Sequence, residues 1–118
     1  MKPNWKKLKR NIPNRVRSMA RSHYEVLWSN EFWFDEKTGK KTYGTTRFDP
    51  NLITLNINQG DKETIYTYWH EFIHALSVDY HLDLTETQVE NLEKSYPYIR
   101  EFVLTLEGKR SKTKKGKK

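Results

Sequence analysis

An α+β fold is predicted by three features of this 118-residue chain. The first half alternates apolar and polar residues in short runs separated by turn formers. Beyond residue 60 the apolar positions change to a three-four spacing, and the change falls at a Gly-Asp break. A period of two marks half-buried strands, whereas a period near 3.6 marks amphipathic helices. The expected architecture is a small N-terminal antiparallel or mixed β-sheet, then one long helix, then a second helix interrupted at Pro97.

The elements follow in order. Pro3 and Pro13 make residues 1–14 an irregular, basic lead-in. Arg15 to Arg21 fits either a short strand or a helical turn. Tyr24, Val26 and Trp28 alternate with Glu25, Leu27 and Ser29, which predicts a strand from Tyr24 to Trp33. Asp35-Glu36-Lys37-Thr38-Gly39 reads as a turn, and Lys41 to Phe48 alternates again. Asp49-Pro50-Asn51 is a tight turn, since Pro presets φ and Asp and Asn tolerate turn geometry. Leu52 to Asn58 then forms a strand with Ile53, Leu55 and Ile57 on one face, completing a meandering sheet. Gly60-Asp61 supplies a helix start, after which Ile65, Trp69, Phe72, Ile73, Leu76 and Tyr80 make one apolar stripe. Thr85-Glu86-Thr87-Gln88 has the form of a capping box opening the next helix. Val89, Leu92, Tyr96, Ile99, Val103 and Leu106 keep helical spacing along it and are expected to be core. Pro97 predicts either a bend or two consecutive helices there.

Charge divides the chain more sharply than its net +7 suggests. Residues 1–21 carry eight Lys or Arg and no acid, and residues 109–118 carry seven with no acid. Between them, residues 22–108 hold seven basic and fifteen acidic residues, a net −8. An acidic body with two basic arms predicts contact with nucleic acid, anionic lipid or an acidic protein through those arms. The segment 108–118 has low complexity and no apolar residue, which predicts a disordered Lys-rich tail. The stretch 15–107 is then one domain. The absence of cysteine excludes disulfides and thiolate metal sites. No apolar run follows the basic N-terminus, and none is long enough to span a membrane, so a cytoplasmic protein is expected.

The chemistry lies in His70-Glu71-Phe72-Ile73-His74. Histidines four apart on a helix stand about 6 Å apart along its axis, on one face, so both imidazoles can reach one Zn²⁺. Glu71 leaves on a neighbouring side, where it can take a proton from a zinc-bound water without being a ligand. Both histidines project away from the centre of the apolar stripe, as ligands on a cleft floor would. A catalytic zinc needs a third protein ligand. His81 lies on the same helical face but about 10 Å further along the axis than His74, too far to share the ion. A second helix folding back after a short loop brings Glu86, then Glu90, then Glu93 into range, and Glu86, nearest the helix start, is preferred.

Tyr68 to Leu76 together with Leu84-Thr85-Glu86-Thr87-Gln88-Val89-Glu90 resembles small phage and bacterial zinc metallopeptidase-like proteins. These are compact zincins related to minimal gluzincins and to ImmA/IrrE-type peptidases. The resemblance spans residues 24–106, specific in the two helices and loose in the sheet. It implies a zincin-like domain with zinc on His70, His74 and a downstream glutamate, Glu71 as general base, and hydrolysis of a peptide bond in a protein substrate. Leu84-Thr85-Glu86 matches the family's Leu-Ser-Glu, which points to Glu86. Where the family carries a glycine after the first helix, this chain has His81. An oxyanion donor is expected among Tyr66, Tyr80, Tyr96, Tyr98 and His81, and Leu52–Asn58 is the expected edge strand for an extended substrate. Two further classes fit the sequence: a non-catalytic, nucleic-acid-associated module with a structural or vestigial zinc site, and a host-factor-binding phage protein.

Overall fold

The computed structural model describes residues 3–116, and the side chains of residues 3–108. It is a mixed α+β fold. The elements are α1 (Trp5–Arg10), β1 (Arg15–Met19), β2 (Ser22–Ser29), β3 (Trp33–Phe34), β4 (Lys41–Thr42), β5 (Gly44–Arg47), β6 (Leu52–Asn56), α2 (Asp61–Asp79), α3 (Glu86–Glu93) and α4 (Tyr96–Gly116).

β1, β2, β6 and β5 form one sheet in that order, and β3 and β4 pair as a small hairpin beside it. β1–β2 and β6–β5 are antiparallel, but β2 and β6 run parallel, with Val26 opposite Ile53 and Trp28 opposite Leu55. The sheet is therefore mixed and does not meander in sequence order. The reason is that the β3–β4 hairpin and β5 intervene before the chain returns beside β2. The expected edge strand at Leu52–Asn58 is corrected on the same ground: β6 is interior, and β5 is the edge. Ile53 and Leu55 are fully buried as their parity requires, but Ile57 lies beyond the strand's end and is exposed.

One helix covers one face of this sheet. Tyr24, Val26, Ile53, Leu55 and Ala75 make the core, with Ile12, Val16, Tyr68 and Phe72 packed around them. The α2 C-terminus is tied to the β1–β2 hairpin through Asp79, which accepts from the hydroxyls of Ser18 and Ser22, while the Tyr80 hydroxyl donates to Ser18 O at 2.9 Å. α2 ends in a Schellman motif: the His81 N–H donates to Val78 O and the Leu82 N–H to Ser77 O, with His81 at φ 55°.

Three expectations are revised. The lead-in expected to be irregular contains a helix over Trp5–Arg10. Asn4 caps a short helix, and Trp5 inserts beside Tyr66 and Tyr96, with ring centroids 5.6 and 5.9 Å away. The capping oxygen accepts from the Lys7 N–H, one of the orphan donors at the helix start, and the half-buried indole helps repay the ordering of the chain. The apolar stripe after Thr85 is core only at Val89; Leu92, Ile99, Val103 and Leu106 are exposed. The break before Pro97 separates α3 from α4, and among the described residues the apolar face of α4 is left exposed. Finally, the backbone of α4 is helical through Gly116, where a disordered tail was expected from Gly108. No proline follows Pro97, so nothing in that stretch forces an end to the helix. The side chains from Lys109 onward, and Lys117 and Lys118 altogether, lie outside the described residues. No helix among the described residues is long and apolar enough to cross a membrane.

Candidate metal centre

Two helices bring the site together. His70 and His74 share the face of α2 that looks onto a cleft of about 1110 Å³. α3 returns alongside because the chain reverses at His81 and Asp83, both at positive φ, and because the Leu84 N–H donates to Ser77 Oγ at 2.9 Å. The Thr85 capping box is complete: its hydroxyl accepts from the Gln88 N–H, and the Gln88 side chain accepts from the Thr85 N–H. That box fixes the first turn of α3, and with it Glu86. Buried Val89 and a hydrogen bond from Trp69 Nε1 to Leu92 O at 3.2 Å hold the rest of α3 against α2.

The candidate donor atoms converge. His70 Nε2 lies 3.2 Å from His74 Nε2 and 2.9 Å from Glu86 Oε1, and His74 Nε2 lies 3.2 Å from Glu86 Oε2. These three residues are the group among the described residues whose donor atoms could hold one metal ion. Ligands about 2.0–2.1 Å from a tetrahedral Zn²⁺ stand about 3.3 Å from one another, so the spacing fits that ion. The donor set agrees. Glu93 Oε1 lies 2.7 Å from His70 Nδ1, so that with the ring proton on Nδ1 the Nε2 lone pair faces the cluster. A lone pair, a second imidazole nitrogen and a carboxylate at such distances need a cation or a shared proton between them.

Glu71 is buried beside this group, 8% exposed. Burial pushes its carboxyl above the usual carboxylate range, opposed by the Thr46 hydroxyl and by the two imidazoles. Thr46 comes from β5, and its hydroxyl lies 2.7 Å from Glu71 Oε1 and 2.9 Å from Glu71 O. Gly44 allows this approach. A Cβ there would stand 2.6 Å from Thr67 Cγ2 and 3.0 Å from Glu71 Cγ.

The other sequence candidates separate. Glu90 lines the cleft but bonds neither histidine, and Glu93 meets His70 through the nitrogen turned away from the cluster. His81 lines the cleft as the left-handed residue that ends α2, outside the ligand group. Of the expected oxyanion donors only His81 borders the cleft. Tyr66 and Tyr96 stack with Trp5, Tyr80 bonds Ser18, and Tyr98 is 73% exposed. Sequence reasoning missed Thr46, Gly44 and Tyr43. Strand alternation puts Gly44 and Thr46 on one face of β5, but nothing local pairs that face with Glu71, 25 residues away from Thr46.

The chain matches no protein-family model, no curated protein and no solved structure.

Proposed function

We propose that this chain is a zinc-dependent metallopeptidase of the zincin kind, with His70, His74 and Glu86 as ligands and Glu71 as general base. The observation that carries the reading is the convergence of these three donors from two helices, with the buried carboxylate of Glu71 beside them. When bound, zinc would polarise a substrate carbonyl and bring a coordinated water to a pKa of roughly 7.

The chain's own residues do the rest. Glu71, kept in place by the Thr46 hydroxyl, accepts the proton from the attacking water and passes it to the leaving amine. Glu93 holds the His70 ring in its ligating tautomer. Tyr43 and His81 are the donors bordering the cleft that can face an oxyanion. β5 is the sheet edge along the cleft, so an extended peptide adds beside Gly44–Arg47 and presents its carbonyl to the cluster.

The test is elemental analysis of the purified protein with cleavage of a quenched fluorogenic peptide library. One zinc per chain is expected, lost in His74→Ala, weakened in Glu86→Gln and retained in Glu71→Gln, with cleavage lost in all three. A wild type that takes up no zinc after refolding with the metal would overturn the reading, and so would full cleavage by Glu71→Gln.

A further inference from the structure

A second concavity lies at another surface, where α1 crosses the ends of β2 and β6. It holds about 660 Å³ and shares no lining residue with the histidine cleft. Lys6, Lys9 and Arg10 of α1 border it with Asn14, Trp28 and Asp61. Lys9 is committed to the fold: its Nζ stands 3.5 Å from Asp61 Oδ1 and donates to Gln59 O at 3.3 Å, which ties α1 to the start of α2. Lys6 and Arg10, one helical turn apart, are exposed and have no carboxylate within ion-pair distance among the described residues. Trp28 in the same groove leaves 39% of its surface open. Just past Asn14, β1 carries Arg15 and Arg17 at exposed positions of the sheet's outer strand.

The two concavities have opposite electrostatic character. The histidine cleft is bordered by Asp35, Glu71, Asp83, Glu86, Glu90 and Glu93 against Lys40 and Lys41, whereas the α1 groove has three cations to one acid. A polyanion is repelled from the first and drawn to the second. Because α1 is docked through Trp5, these cations are held in place on a folded surface, which lowers the entropy cost of aligning them on a ligand.

We propose that the groove between α1 and the β2–β6 ends is a binding site for single-stranded nucleic acid, with Lys6 and Arg10 on phosphates and Trp28 stacking on a base. Cations alone would accept any polyanion. An open indole among them selects for an unpaired base, whose face is available for stacking, over a duplex, whose bases are already stacked. The site is independent of metal binding, so its failure and the failure of the peptidase reading are separate results.

The experiment is fluorescence anisotropy of the full chain with a labelled oligothymidylate of about 15 nucleotides, a length covering typical single-strand site sizes. A duplex of equal length and vesicles of phosphatidylserine and phosphatidylcholine serve as the other arms. The expected result is binding that weakens steeply between about 50 and about 200 mM salt, prefers the single strand and is unchanged by chelator. Lys6→Glu with Arg10→Glu should reduce affinity at least about tenfold and flatten the salt slope. Trp28→Ala should weaken the single strand several-fold but leave the duplex unchanged, and Trp28→Phe should restore most of the loss. Circular dichroism keeps the variants comparable. Unchanged affinity in natively folded groove variants overturns the proposal. So does loss of all binding in Lys114→Glu/Lys115→Glu alone, which would assign it to the tail, or binding to vesicles without binding to the oligonucleotide.

Discussion

Glu93 Oε1 and His70 Nδ1 are 2.7 Å apart, on the side of the imidazole opposite Glu86. The contact orients the ring and, with the proton on Nδ1, leaves Nε2 free to face a metal. Partners of this kind are worth about 10–100-fold in metal affinity. Glu93→Gln should therefore weaken zinc in a competition titration by about that factor while keeping one ion per chain at saturation. Unchanged affinity would mean that the contact does not orient the ligand.

Zinc should also stabilise the fold, since the donors lie on two separate helices and the unfolded chain does not hold them together. At about 100 times its Kd an ion that binds only the folded state adds about 2.7 kcal/mol. Thermal unfolding should move up on zinc addition, return with chelator, and show no response in His74→Ala.

Thr46 and Gly44 link the sheet to Glu71. Thr46→Val leaves the buried carboxylate without its hydroxyl partner, a loss of about 1–3 kcal/mol in denaturant unfolding. Peptide turnover should fall through kcat more than through KM. Gly44→Ala should destabilise by a similar amount, about 1–3 kcal/mol, because the new methyl group has no room beside Thr67 Cγ2 and Glu71 Cγ.

His81 sits at φ 55°, a conformation that costs a non-glycine residue about 1–2 kcal/mol. His81→Gly should raise the unfolding midpoint and leave zinc stoichiometry at one. Loss of the metal in this variant would restore His81 as a ligand.

At high pH the buried tyrosines work against the fold. Burial pushes Tyr24 up to about 12, reinforced by the charge of Asp79, and pushes Tyr68 up to about 12 as well. A raised folded-state value means that the folded chain holds its proton where the unfolded chain has lost it. Stability is thus fully present below about 10 and falls as pH rises from about 10 towards 12. Tyr24→Phe removes a buried hydroxyl that has no hydrogen-bond partner and should flatten that fall in pH-dependent unfolding.

α2 and α3 were readable for a local reason. Capping at Thr85, the break at Gly60 and the four-residue spacing of His70 and His74 act within one or two turns, so their causes are adjacent in the chain. Strand character was readable from Tyr24 onward, since alternation reports which residues share a face. Arg15–Arg21, however, fitted a helical turn equally well, and the runs Tyr24–Trp33 and Lys41–Phe48 each divide into two strands. The order of the strands was not readable: parity is the same for an edge strand and an interior one, so alternation does not distinguish β6 from the edge that β5 occupies.

By itself, then, the sequence determined the α+β class, the two imidazoles on one helix face, and a carboxylate at the start of the following helix. Tertiary structure alone decided that Trp5 docks the basic N-terminal segment, that Thr46 reaches Glu71, that Glu93 takes the outer nitrogen of His70, and that most of the apolar stripe beyond Val89 is left exposed among the described residues. Each of these is a matter of contacts between residues more than twenty positions apart, or of their absence. Hydrophobic periodicity states that a face must be covered, but what covers it depends on how the whole chain closes.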